Sequence, residues 1–581
     1  LLKGEWMPFE RVCQLGCWQI KKRAVKNGRR LIRGTLMGSD KGTTKAPPCV
    51  VGPEMRALSL PASGVSRRHF LMGAAALAVI AKMGFSDVAF AAVKPVQGGS
   101  ARFAINDGAQ TDSLDPASWQ SSFTQVVFGG TLCNALTELA TDGSAVPDLA
   151  DSYSSSDDLT VWTFKLRPDL KFHDGRSVTA ADVVESYKHH MGPSSVSAAK
   201  ALVETISDVK ADGDQTVVFT LSGGNADFPY LVSDCHLAIF PAKDGGGIDW
   251  EGGVATGPYI MEDLQPGISA SMKRNPNYYK PGQPYFDTIE FVNIVDVAAR
   301  TNALLTGEVD YMVDADIKTL SMLEGKEGIA VSKVSGLRHF SFDMNVSDAP
   351  FDNLDVRTAM KYAIDREDIV NKAFLGNAKV AYDNPLAPQI PFAINPEPVH
   401  SYNIEKAKEH LAKAGLDSLK VQLSVAETAF PNAIEAALLF KEHAAKAGIE
   451  IEVIREADDG YWDNVWQKKP FVGVDWLGKP TLDSLFTTTY ASDAPWNDTA
   501  WKSARFDELL IKGRAEKDKA KRQEIYTEMQ QLLHDDGGTI VIAYALFIDA
   551  MSDKIAHGEI GSLLQCDNFR MAERWWRSDL A

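Results

Sequence analysis

The run PNAIEAALLFKEHAAKAGIEIEVI, residues 431–454, restricts the fold more than any other stretch of the chain. Its first part carries the apolar spacing of an amphipathic helix, Gly448 suits the left-handed conformation that ends one, and the alternating β-branched residues after it read as a strand. A helix that leads straight into a strand packs back onto a sheet, so an α/β fold with mixed sheets covered by helices is expected. The same step recurs. NIEKAKEHLAKAGL closes at Gly415, and a long helical pattern that ends at Gly537-Gly538 runs into the apolar strand TIVIAYALFIDA. Earlier in the chain Val161 to Leu166 alternates as a strand, Asp174-Gly175 makes a turn, and Thr179 with Asp182 forms a capping box ahead of a helix. In DREDIVNKAFLGN, Asp365 caps a helix whose Ile369, Val370 and Ala373 share one face, and Gly376 ends it. With no internal repeat and no low-complexity linker, the lobes are expected to be joined by strands that cross between them.

At 581 residues, 45% hydrophobic and 24% charged, the chain has room for two or three globular domains. Basic residues crowd the first 91 positions, so the remainder is more acidic than the whole-chain net charge of −17. It offers no basic stripe for nucleic acid. Ser66, Arg67, Arg68, Phe70 and Leu71 match the twin-arginine export pattern. The apolar run that follows stops at Lys82, well short of the ~20 residues that span a bilayer. Ala89 and Ala91 place signal cleavage before Ala92, and the absence of a cysteine there argues against a lipoprotein. Residues 55–91 therefore read as a signal peptide and residues 1–54, ahead of Met55, as an over-extended reading frame or expression remnant. A periplasmic product follows. Cys13, Cys17 and Cys49 fall outside it, whereas Cys133, Cys235 and Cys566 enter an oxidising compartment. Among these a Cys235–Cys566 disulfide is the favoured pairing, with three free buried thiols as the alternative.

Gly473, Gly478 and Lys479 nearly spell a phosphate-binding loop. The residues between the glycines are Val474, Asp475, Trp476 and Leu477, too bulky for backbone N–H groups to curl around a phosphate. Pro480 replaces the metal-binding hydroxyl residue and opposes a helix at Lys479, so a nucleotide site is excluded. The mature chain has no nucleophile elbow, zinc-binding histidine pair or dinucleotide fingerprint. His189 and His190 are adjacent and point about 100° apart on a helix, as on a solvated face, and His173 reads as a turn histidine. No enzyme activity, cofactor or metal site is expected.

Three linked motifs carry a resemblance: Phe164-x-Leu166-Arg167, Phe172-His173-Asp174-Gly175, and Thr179-Ala180-x-Asp182-Val183-x-x-Ser186. Together with ATGPYIMEDLQPGISASMKRNPNYYKPGQPYFDTIEF, ARTNALLTGEVDYM, MNVSDAPFDNLDVRTAMKYAIDREDIV and the terminal FRMAERWW, they make nearly all of residues 100–581 similar to the family 5 extracellular solute-binding proteins, the peptide, opine and nickel receptors of ABC importers. The resemblance implies a two-lobed periplasmic-binding-protein fold with an extra subdomain and a hinge. Lobe 1 is expected over residues 92–296 and 541–581 and lobe 2 over 297–540, with crossings near Asn293 to Val297 and Ile540 to Asp549. It also implies a monomer that takes a small solute, an oligopeptide or amino-acid derivative, to a membrane permease and its ATPase.

In dipeptide-binding relatives an arginine before the Pro-Asn of a central helix holds the ligand carboxylate, and an aspartate after a Trp-x-Gly triplet holds its amine. Those positions here are Glu427 and Lys479, with both charges reversed. The resemblance then implies that Glu427 receives a cationic group, that Lys479 receives a carboxylate and that Trp476 forms an apolar or cation–π wall; alternatively Glu427 and Lys479 pair with each other or are solvated loop charges. Asp483, Trp496 and Asn497 in the following loop are further candidates. Trp119 and Asp112, in and near the loop Thr111 to Ser113, are candidates from the other lobe. A nickel-chelate receptor is the alternative within the family, and a secreted hydrolase the alternative outside it.

Overall fold

The computed structural model describes residues 94–494 and 496–580. The expected export signal, the segment before it and Cys13, Cys17 and Cys49 lie outside the described residues. Among the described residues no helix is long and apolar enough to cross a membrane.

The helix-to-strand steps read from sequence form locally as their caps dictate. Helix Ala433–Ala445 ends at Gly448, where φ is 82°, and strand Ile449–Arg455 follows. Thr179 and Asp182 cap helix Ala180–His190 reciprocally, with Asp182 Oδ2 accepting from the Thr179 N–H at 2.8 Å. Asp365 accepts from the Asp368 N–H at the start of helix Arg366–Lys372. Helix Lys519–Asp536 stops at Gly537 and gives way to strand Thr539–Ser552.

These elements assemble on one sheet of 11 strands. From one edge its order is Ile449–Arg455, Leu419–Val425, Phe471–Trp476, Ile329–Met344, Thr539–Ser552, Tyr311–Met312, Ser100–Ile105, Thr288–Asn293, Ser269–Arg274 and Tyr259–Gln265, with Ala378–Val380 pairing onto Thr539–Ser552. A separate antiparallel sheet of four strands, Ala150–Ser155 through Ile206–Ala211, carries helix Ala180–His190 over its own apolar core.

Ile329–Met344 and Thr539–Ser552 are the long strands and run antiparallel over most of their lengths. Their first pairing, Ile329 to Ser335 against Leu546 to Ser552, lies on a core with Ala104, Val292 and Leu304. Their second buries Phe340, Phe342, Met344, Ile540 and Ile542 in a different core with Phe430, Phe440 and Phe471. Between the two, the register shifts from Ser335 to His339. A break in pairing at this point lets the strands bend where the cores change over. Gln389 Nε2 donates to the Ser335 and Gly336 carbonyls at 2.6 and 2.8 Å and so takes up acceptors that the ladder has released. By contrast, Thr288–Asn293 pairs only with Ser100–Ile105 and Ser269–Arg274, and helix Val297–Thr306 after it packs on the Ala104 core.

Candidate functional site

The parallel strands Leu419–Val425 and Phe471–Trp476 end on the same edge of the sheet, and the antiparallel Ile329–Met344 enters that edge at its register shift. Loops at the carboxyl ends of parallel strands are where α/β sheets present ligand groups. Here the loop after Val425 carries Glu427, the loop after Trp476 carries Lys479, and His339 pairs with Trp476.

The glycine of the misleading phosphate-loop pattern has a packing cause. A Cβ on Gly478 would overlap the Cβ and carbonyl of Leu337, so the chain from Leu477 to Pro480 lies directly against the shifted strand. Lys479, next in line, is half-buried and has no ion-pair partner among the described residues. Glu427 is exposed and does not pair with it. Partial burial and the nearby Glu435 carboxylate raise the Glu427 pKa, and Arg455 offsets only part of this.

Trp476 ends its strand 7% exposed, with an indole N–H that has no acceptor. Its ring lies 6.2 Å from that of Trp496, tilted by 40°, and 6.2 Å from that of Trp466 on its other side. Trp496 itself is 42% exposed. The result is an aromatic shelf, buried at Trp476 and open at Trp496, that precedes a lysine without an ion pair among the described residues.

Other candidates go elsewhere. Asp483 is buried and bound to Arg514 at 2.9 and 3.1 Å, and burial pushes its pKa up to about 6 against the pull of that arginine. Its carboxylate is already occupied. Asn497 spends its amide on the Ala491 and Trp501 carbonyls and so folds its own loop. Trp119 is fully buried among Phe128, His236 and Phe240 and donates to the Ser113 carbonyl at 3.0 Å, so it is core and not cleft wall. Asp112 accepts from the Ala109 N–H at 2.8 Å and closes a turn. The Cys235–Cys566 disulfide is corrected: both are free thiols, the first beside His236 and the second 3.4 Å from the Tyr311 hydroxyl.

Sequence reasoning missed Arg338. It sits at the register shift, donates through Nε to Asp475 at 2.6 Å and through a terminal nitrogen to the same oxygen, and lies over the Phe340 ring at 5.4 Å. One residue before His339, the partner of Trp476, it belongs with Phe340 and Asp475 on the other face of the strand pair. The signal in the sequence was the alternation Arg338, Phe340, Phe342 against His339, Ser341, Asp343, a strand with one polar face.

Comparisons with known proteins agree on what this scaffold is. Residues 144–498, more than half of the chain, match the model of bacterial extracellular solute-binding proteins, family 5, middle region. The chain is 26% identical over 468 residues to the glutathione-binding protein GsiB of Pectobacterium atrosepticum, covering 77% of this chain and 89% of that one. Against the dipeptide-binding protein of Escherichia coli it is 26% identical over 517 residues, covering 82% and 94%. Among solved structures, HbpA2 from Haemophilus parasuis superposes with a TM-score of 0.72 at 22% identity over 80% of this chain and 98% of that one, a likeness of fold. A family model matched over more than half of the chain makes this chain a member of the family 5 bacterial extracellular solute-binding proteins, a family of non-enzymatic transport receptors that serve ABC importers.

Proposed function

We propose that the chain is a periplasmic receptor, exported by the twin-arginine route, that captures a zwitterionic peptide-like or amino-acid-derived solute and hands it to an ABC permease. The observation that carries this reading is the pair of unmatched charges on one sheet edge. Burial and Glu435 raise the Glu427 pKa, Lys479 has no ion-pair partner among the described residues, and Trp476 of the Trp476–Trp496 shelf ends the strand that leads into the lysine's loop. A ligand ammonium at Glu427 and a ligand carboxylate at Lys479 supply what each lacks. The relatives named for dipeptide and glutathione binding support a peptide-like solute, and the reversed charges assign it the opposite orientation.

In this reading the lobes change over within Ile329–Met344 and Thr539–Ser552, and the register shift serves as the hinge. Residues 297–328 then belong with the first lobe, because their apolar side chains share the Ala104 core, and the boundary moves on from residue 296. Native mass spectrometry of protein purified without refolding should identify the co-purifying solute. With that solute, Glu427→Gln and Lys479→Gln are each expected to weaken binding at least tenfold, about 1.4 kcal/mol. Unchanged affinity in both variants removes this site.

A further inference from the structure

The polar face of Ile329–Met344 continues inward from His339 through Ser341 to Asp343, and there it meets a cluster that the ligand edge does not use. Thr539 is the register partner of Asp343 on the neighbouring strand, and Tyr490 and Asp498 come in from the segment that covers this face. Asp343, Ser341, Thr539 and Tyr490 are at most 4% exposed, and Asp498 is 7% exposed. Asp343 faces the Asp498 carboxyl and the Ser341 and Thr539 hydroxyls, and Tyr490 faces Thr539, but among the described residues none of these Asp343, Ser341, Thr539 and Tyr490 oxygens makes a well-directed hydrogen bond. Asp498 Oδ2 accepts from the Trp466 indole N–H at 3.0 Å.

Burial raises the Asp343 pKa well above the usual carboxylate range, with Asp498 adding like charge, and burial holds Asp498 at about 6. Among the described residues no lysine, arginine or charged histidine relieves them. Neither carboxylate has an ion pair among the described residues, and His339, next on the same face, is kept neutral by burial, its pKa at about 3. Two buried carboxylates without a counter-charge, ringed by hydroxyl oxygens that make no well-directed hydrogen bond, are costly unless a proton or a cation sits between them.

We propose that Asp343 and Asp498, with Ser341, Thr539 and Tyr490 completing the oxygen shell, bind a hard divalent cation, calcium being the best fit. Two carboxylates balance one divalent charge. The donors are all oxygen, which disfavours zinc and copper, and the mixed hydroxyl and carboxylate set suits the irregular shell of calcium better than the strict octahedron of magnesium. A second buried cluster, Asp383 with His400 and His534, serves as a control. It has comparable burial, but Arg366 lies 2.6 Å from Asp383 and Lys361 adds charge, so no cation is called for.

Chelator-treated full-length mature protein should show a calcium-dependent rise in melting temperature, with a dissociation constant of ~10⁻⁴ to 10⁻³ M, the range of extracellular calcium modules. Terbium in place of calcium should luminesce on excitation of tryptophan, because Trp466 donates to Asp498, and calcium should quench that emission. Asp343→Asn should reduce calcium affinity at least tenfold and abolish the emission, and Thr539→Val should weaken both by a smaller factor while preserving shape. Should Asp343→Asn fail to fold, wild type and Thr539→Val still decide. A melting temperature indifferent to calcium and magnesium, or terbium emission unchanged in either variant, overturns the proposal and leaves the two carboxyls sharing a proton.

Discussion

Two buried charge clusters at different parts of the sheet meet the same cost in opposite ways. Near the chain end, Lys280 Nζ lies 2.7 Å from Glu138, 2.7 Å from Glu573 and 3.4 Å from Asp148, and Arg570 lies 2.9 Å from Asp148 and 3.4 Å from Glu573. Burial alone would raise the Asp148 pKa, yet Lys280 and Arg570 outweigh it and hold it at about 2. At Asp343 and Asp498 burial acts with no cation to oppose it, and both rise. A matched network fixes geometry, because each group is held by the others. An unmatched one is open to a ligand. The matched cluster ties Arg570 and Arg574 to residues more than four hundred positions earlier and Glu573 to Lys280, which gives the charges of the FRMAERWW segment a structural role. It also braces a strained turn: Cys566, Asp567, Asn568 and Phe569 have φ of 53°, 59°, 55° and 65°. Each such residue costs ~1–2 kcal/mol, and the Asp567 carboxylate answers by accepting from Gly561 N, Arg574 and the Trp575 indole.

The largest expected effect comes from removing the shared cation of the matched network. Lys280→Met leaves Glu138, Asp148 and Glu573 with the arginines alone and should cost ~3–5 kcal/mol in chemical denaturation. In metal-free protein Asp343→Asn should cost less than ~1 kcal/mol, since it replaces a carboxyl that already carries a proton. A Lys280→Met loss as small as that of Asp343→Asn would erase the distinction between the clusters.

What could be read from sequence divides along similar lines. The capping box at Thr179, the N-cap at Asp365 and the glycine stops at Gly376, Gly415 and Gly448 are set by neighbours within a turn, so their letters were enough. Glu427 and Lys479 could be located only by counting from motifs of the resembled family. Trp119 was misassigned because a tryptophan's letter does not state whether a core or a cleft surrounds it. Lys280 gave no signal in NYYKPG, since its partners lie at 138, 148 and 573. The Asp343–Asp498 pair escaped for a further reason: rules for metal sites look for His and Cys at short spacing, and this set joins oxygens from separate segments through strand register.

The second effect is in pH. Asp148 has a folded pKa below its unfolded value, so its contribution, up to ~2.6 kcal/mol, is complete above about pH 4 and is lost as pH falls through 2. Asp498 is shifted the other way, to about 6, so metal-free protein is most stabilised by it below about pH 4 and loses that stability as pH rises through 6. Asp483 and Asp549, at about 6 and about 7, add to the same limb, so the readout is the difference between wild type and Asp343→Asn. Wild type should lose more stability than the variant between pH 4 and 7. Calcium should flatten the wild-type slope, because it binds the form that has lost the proton. Parallel pH profiles with and without calcium would sever the orphaned carboxyls from any cation.

The smallest effect on stability separates charges that hold the fold from charges proposed to meet a ligand. Glu427 is exposed on its turn and Lys479 has no ion pair to lose, so Glu427→Gln and Lys479→Gln should each change unfolding free energy by less than ~0.5 kcal/mol. Removing Glu427 relieves its repulsion with Glu435, so its change should be neutral or slightly stabilising, while Lys479→Gln gives up only the packing of its stem against the loop. The same variants are expected to lose at least tenfold in solute affinity, a ratio of binding to folding effect opposite to that of Lys280→Met. Thermal melts without solute, beside calorimetric titrations with it, measure both halves of that ratio. A stability loss above ~1 kcal/mol in Lys479→Gln would assign the lysine to the scaffold and leave Glu427 as the remaining charge at the edge.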